Sequence, residues 1–196
     1  MGMSSKTAIP TAEVFERYLI EHCSPTLASI KTGNLFTISY SDEENLNSQI
    51  AAWNAALNGK GISIVTLRRG SGRALIYVFR RSKLADDFKK SGVKGFLEKC
   101  GYRHTNVDYA VENLRIKLSE NESFPHEIGL FLGYPLGDVI GFIVNEGKNC
   151  ECTGFWKVYC NRCEAERTFD KFRKCNSVYC RLWQQGRSIQ QLTVPN

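Results

Sequence analysis

Four neighbouring residues near the start of the chain, His22-Cys23-Ser24-Pro25, set a thiol beside an imidazole between two apolar segments. Ser24 reads as an N-cap with Pro25 at the first helical position. A helix N-terminus offers unpaired N–H groups and a partial positive charge, which favour a thiolate, and a neighbouring imidazolium adds to that. Cys23 is therefore a candidate nucleophile or redox thiol, with His22 raising its ionised fraction. The alternative is a buried cysteine that acts as a small hydrophobe.

Three further sets could carry chemistry. In Phe124-Pro-His-Glu-Ile-Gly129, Pro125 near a helix start puts His126 and Glu127 in the first turn, an imidazole and an acid suited to proton transfer. With Cys23 and His22 the same groups could ligate a metal. An ordinary surface histidine beside a helix-start glutamate is the plainer reading. Cys150-Glu-Cys152 and Cys160-Asn-Arg-Cys163 could give four thiolates to zinc or iron, although Cys-x-Cys is not zinc-ribbon spacing. Arg68, Arg69 and Arg73 surround a Gly-Ser-Gly turn, with Arg80 and Arg81 at the end of the returning segment. Guanidinium groups so placed suit phosphate or carboxylate, and so an acidic partner, but the turn is no phosphate-binding Walker loop.

The elements that must position these groups follow from periodicity. Residues 11–22 read as an amphipathic helix, with a short second helix opening at Ser24 and running to about Ile30. Residues 34–40 alternate like a strand. Ser41 and Glu44 have capping-box spacing before a helix that ends at Asn58-Gly59. Ile62–Leu67 and Ala74–Phe79 read as a hairpin, the second strand apolar on both faces and so central in its sheet. Short helices follow over 82–100, after Thr105, and over 125–132 and 136–145. Gly154–Tyr159 reads as a last strand, and Glu164–Gln185 as helix in two pieces meeting near Cys175-Asn176. The expected fold class is α+β: a small, mostly antiparallel sheet of about four strands packed with helices. Residues 1–10 are expected to be a disordered lead-in, and 11–196 one domain.

Composition narrows the function classes. The chain has 196 residues, 42% hydrophobic and 23% charged, which is ordinary for a globular protein. No apolar run is long enough to span a bilayer, and the first residues lack a signal-peptide core. Eight cysteines without a secretion signal point to a reducing, cytoplasmic setting. The net charge of +6 is divided into blocks of −2 over residues 1–60, +8 over 61–103, −5 over 104–155 and +5 over 156–196. That pattern suggests one basic and one acidic face and does not call for nucleic acid.

His22-Cys-Ser-Pro-Thr-Leu-Ala28, Lys31-Thr-Gly-Asn-Leu-Phe36, Ala74–Phe79, Phe124-Pro-His-Glu-Ile-Gly-Leu-Phe-Leu-Gly-Tyr-Pro135, Asp138-Val-Ile-Gly-Phe142 and Trp156-Lys-Val-Tyr159 together resemble a bacterial family from anaerobic Firmicutes, domain of unknown function 3793. The resemblance spans about Glu13 to Val194. Some relatives carry selenocysteine where Cys23 stands, which implies redox or nucleophilic chemistry there. Relatives also lie near iron-transport and flavodoxin genes, an association with metal or redox physiology. The chain departs from the family at Cys160 and Cys163, which weakens a family-wide metal role for the C-terminal thiols. The expectation is thus a cytosolic thiol-dependent redox protein: Cys23 as thiolate, His22 or His126 moving a proton, Glu127 orienting an imidazole, and the arginine hairpin docking an acidic partner such as a flavodoxin. The alternatives are a metal-binding protein using the Cys and His groups and, further off, a basic nucleic-acid module.

Overall fold

The computed structural model describes residues 12–120 and 124–195; the lead-in over 1–10 lies outside them. Alternation of apolar side chains builds its centre. Strand β1 (Gly33–Ser39), β2 (Ile62–Gly70) and β3 (Arg73–Arg80) form an antiparallel sheet in the order β1-β3-β2. The strand apolar on both faces, β3, is central, as its sequence requires. Ile76 pairs with Phe36 on one side and Thr66 on the other, and the β2 register shifts at a bulge between Thr66 and Arg68.

Successive β3 residues point to opposite faces, so each face carries its own core. Ala74, Ile76 and Val78 join Phe36, Ile38, Ile62 and Ile64 under α1 (Ala12–Leu27) and α2 (Glu43–Leu57). Tyr77 and Phe79 face α3 (Arg81–Lys89), α4 (Val93–Lys99), α5 (Val107–Glu120), α6 (Ile128–Phe131) and α7 (Leu136–Val144). The architecture is α+β, with helices on both faces of a small antiparallel sheet.

Four local expectations are corrected. The chain does not break at His22-Cys23-Ser24-Pro25: α1 runs through all four, with Pro25 in its last turn. Proline there has no N–H for the carbonyl of Glu21. Asn176, from the long helix α8 (Arg162–Gln184), donates its Nδ2 to that carbonyl at 2.8 Å and to Ile20 O at 3.3 Å. The Ser24 hydroxyl, read as an N-cap, donates back to Ile20 O within the helix. Second, α8 is one helix, passing Cys175-Asn176 without a break.

Third, Gly154–Tyr159 does not extend the main sheet. Only Lys157–Val158 (β5) pairs, with Cys152–Thr153 (β4), as a separate two-stranded ribbon. Its Val158 and Trp156 pack on Ala165 and Phe169 of α8. The α2 cap is also one residue later than the spacing predicts, Asp42 accepting from Glu44 N. A last short helix, α9 (Ile189–Leu192), returns the chain beneath α1.

Arg80, grouped with the hairpin arginines on sequence, is fully buried. Its guanidinium donates to the carbonyls of Thr26, Leu27 and Val194 at 2.6–2.7 Å and to Lys60 O at 3.1 Å. It thereby caps the C-terminus of α1 and pins the C-terminal segment, a positive charge set where the helix dipole is negative.

Candidate functional site

The thiol that dominates the sequence sits in the wrong place for the chemistry first expected of it. Cys23 lies in the body of α1 with no exposed surface, among Phe15, Leu19, Leu27 and the sheet. It is past the N-terminal turn that could lower its pKa; instead, burial pushes the thiol far above its ordinary value, with Lys31 opposing only in part. His22 is its helical neighbour and so points elsewhere, exposed and grouped with the rings of Tyr18 at 5.3 Å and Phe36 at 6.0 Å, which also stack on each other.

His126 and Glu127 also separate. Glu127 is buried and accepts from Lys117 Nζ at 2.7 Å and from the Tyr102 hydroxyl at 3.3 Å, so its partners are an ammonium and a phenol, not an imidazole. That pair ties α5 to the turn before α6. His126 is exposed, its ring 5.1 Å from that of Phe142.

Cys150, Cys152, Cys160 and Cys163 do not form a ligand set. Cys150 Sγ lies 3.4 Å from the Thr153 hydroxyl, Cys152 sits on β4, Cys160 bonds Asp138 and Cys163 is exposed in the first turn of α8. Among the described residues no group of three or more His, Cys, Asp or Glu side chains is arranged to hold a metal ion. In the arginine hairpin, Arg69 is held by Glu43 and Asn47 at 2.5 Å each, while Arg68 and Arg73 remain exposed.

What the fold does bring together is a wall of side chains from distant segments. Lys31 Nζ lies 5.3 Å from the Tyr134 ring centroid, Tyr134 stacks on Trp156 at 4.9 Å, and Trp156 Nε1 donates to Asp138 Oδ2 at 2.7 Å. The other Asp138 oxygen accepts from Tyr159 N at 2.7 Å, from Cys160 N at 2.9 Å and from the Cys160 thiol at 3.2 Å. Asp138, in the first turn of α7, is thus the anchor of the β4–β5 ribbon, each of its two oxygens already engaged by it. Its carboxylate also holds the Cys160 thiol protonated: partial burial first, then this bond, push it up to about 11.

Two glycines let the wall close. Gly133 turns the chain into Tyr134 with φ +78°, and a Cβ there would stand 2.7 Å from the Thr32 hydroxyl. On α7, Gly141 lies so near the Tyr159 ring that a Cβ would come within 2.5 Å of it.

Behind this wall, between α6, α7 and the ribbon, is a cavity of about 350 Å³. Phe124, Ile128, Leu132, Val139, Phe142 and Trp156 make its apolar surface. His126 and Lys157 are the basic side chains on its lining, the ammonium of Lys157 lying 5.9 Å from the Phe142 ring centroid and bonded to Gly147 O at 2.6 Å. A mainly apolar concavity with a few polar groups is the usual form of a small-molecule site. A second, smaller cavity of about 290 Å³ shares Trp156 with it and is lined also by Lys31, residues of α3 and residues of α8.

Reading residues singly missed Lys31, Asp138 and Trp156 as a group. The signal was present in part: all three fall in the stretches that carry the family resemblance, and only folding shows that those stretches meet. No curated protein and no solved structure matches the chain. A family model described as "Protein of unknown function (DUF3793)" matches residues 19–193, and with nearly all of the chain covered the protein belongs to that family.

Proposed function

We propose that the protein binds a small, flat, largely apolar molecule bearing an anionic group in the cavity between α6, α7 and the β4–β5 ribbon. The single supporting observation is the convergence of Phe142, Trp156 and Val139 on one cavity whose basic lining groups are His126 and Lys157, the one carboxylate on it, Asp138, being neutralised in part by its bonds to the ribbon. Aromatic faces favour a planar ligand through stacking and apolar burial. The ammonium of Lys157 at the same lining favours a carboxylate, sulfonate or phosphate on it. The probe is 8-anilinonaphthalene-1-sulfonate, titrated into folded protein with Trp emission and dye emission both followed. One equivalent bound, weakened tenfold or more by Thr153→Trp at the exposed rim, is the expected result. Unchanged binding in that variant, or none in the parent, rejects the cavity.

A second reading is thiol-dependent redox chemistry at Cys23, whose neighbour Lys31 opposes in part the effect of burial on that sulfur. In it an acidic redox partner such as a flavodoxin would meet the exposed Arg68 and Arg73. Burial makes the requirement plain: the thiol must become reachable during turnover. Iodoacetamide labelling of Cys23 at a rate within tenfold of exposed Cys163 would support this reading. Labelling only on global unfolding would remove it.

A further inference from the structure

We propose that Lys31 is a nucleophilic amine that condenses with a small aldehyde entering the 290 Å³ cavity between α3 and α8. The proposal is independent of the apolar cavity, whose lining shares only Trp156 with this one.

Lys31 retains only 6% of its surface yet lines that cavity, together with Thr32, Lys83, Asp87, Thr168 and Phe172. Buried lysines normally meet carboxylates. This one does not: Nζ donates to Gly33 O at 2.5 Å and faces the Tyr134 ring. The carboxylates on the same lining are engaged elsewhere, Asp87 with Lys90 at 2.6 Å and with the Thr32 hydroxyl, Asp86 with Lys89 at 2.9 Å. An ammonium has three protons to place, and among the described residues one carbonyl takes them. A neutral amine suits the site: one N–H goes to Gly33 O and a lone pair is left free. Burial accordingly lowers the pKa of Lys31 from 10.5 to about 7, with Cys23 of α1 opposing in part. Lys83, Asp86 and Asp87 of α3, Lys90 beyond it, Cys23 and Tyr134 are the titratable groups around it.

In the reaction the nitrogen lone pair attacks the carbonyl carbon and forms the C–N bond. Both amine hydrogens leave with the carbonyl oxygen as water, and a C=N bond remains. Desolvated lysines are suited to this step because they are neutral near pH 7.

The test is reductive ethylation of the intact protein with acetaldehyde and cyanoborohydride, read lysine by lysine through peptide mass spectrometry. At pH 7.5 Lys31 is expected to react at least tenfold faster than exposed Lys89 and Lys148. Its rate should level off above about pH 8, while theirs climb to pH 10 and beyond. Lys31→Met removes the fast site and leaves the others unchanged. Equal or slower reaction of Lys31 overturns the proposal. So does a rate equal to that of Cys23 with iodoacetamide in parallel, because chain opening and not the cavity would then admit the reagent.

Discussion

At the scale of the residue, charge and burial are set against each other at positions 23 and 31. Unfolded chains hold the Lys31 proton up to about pH 10.5, whereas the folded protein releases it near 7. Between those values the unfolded state binds more protons, so stability rises with pH through this window; below about 7 the burial cost is present in full. Lys31→Met should therefore stabilise the protein below pH 7, by on the order of 3–5 kcal/mol as an upper bound, with the advantage shrinking towards pH 10. Urea titrations across pH 6–10 measure it, and a difference constant with pH contradicts it. Cys23 runs the opposite way: its folded pKa is raised above the ordinary 9.0, so it lowers stability only at pH above about 9. At Asp138, Asn would turn an N–H towards the Trp156 N–H and lose the charge, a cost of about 2–3 kcal/mol in urea unfolding. Cys23 was legible as an unusual residue because Cys, His and Pro stand together. Its burial was not, because whether a helix stops at Ser24 depends on a residue 152 positions later. Lys31 was overlooked for an equally physical reason: lysines are seldom buried, and nothing local marks this one.

At the scale of the element, β3 is the clearest success of the sequence. Six successive apolar residues, Ala74–Phe79, fit only a strand covered on both sides, and the structure gives it a partner on each edge and a core on each face. The apolar run within Gly154–Tyr159 predicts a strand of the sheet for the same kind of reason. Alternation identifies an extended segment but not its neighbour, and here that is a two-residue ribbon lying against α8. Helix α1 shows the opposite case, a local stop signal overridden by a tertiary hydrogen bond from Asn176 to Glu21 O. Asn176→Ala should cost about 1 kcal/mol in the parent and distinctly less in Pro25→Ala, where a restored N–H serves the same carbonyl. A double-mutant cycle measures that coupling, and strict additivity would show that the two residues do not share it. Gly141→Ala should push the ribbon away from α7 through Tyr159, lowering the thermal midpoint and raising the exposure of Trp156 to acrylamide quenching.

At the scale of the whole molecule, the sheet separates two cores, and a smaller third cluster carries the ribbon on α8. The α+β class was readable because apolar alternation and helical periodicity each occupy long stretches of the chain. A cavity at the seam between the second core and the ribbon was not: its lining comes from residues 124–142 and 153–157, whose meeting depends on Asp138 reaching the ribbon. No described helix is long and apolar enough to cross a membrane. The most direct test of the proposed ligand site is a ¹⁵N-edited NMR titration of the intact protein with 8-anilinonaphthalene-1-sulfonate. The amides of Gly129, Val139, Phe142, Gly154 and the Trp156 indole should shift together and saturate at one equivalent. Shifts confined to the Arg68–Arg73 hairpin, or no saturable shifts at all, would contradict a ligand seated between α6, α7 and the ribbon.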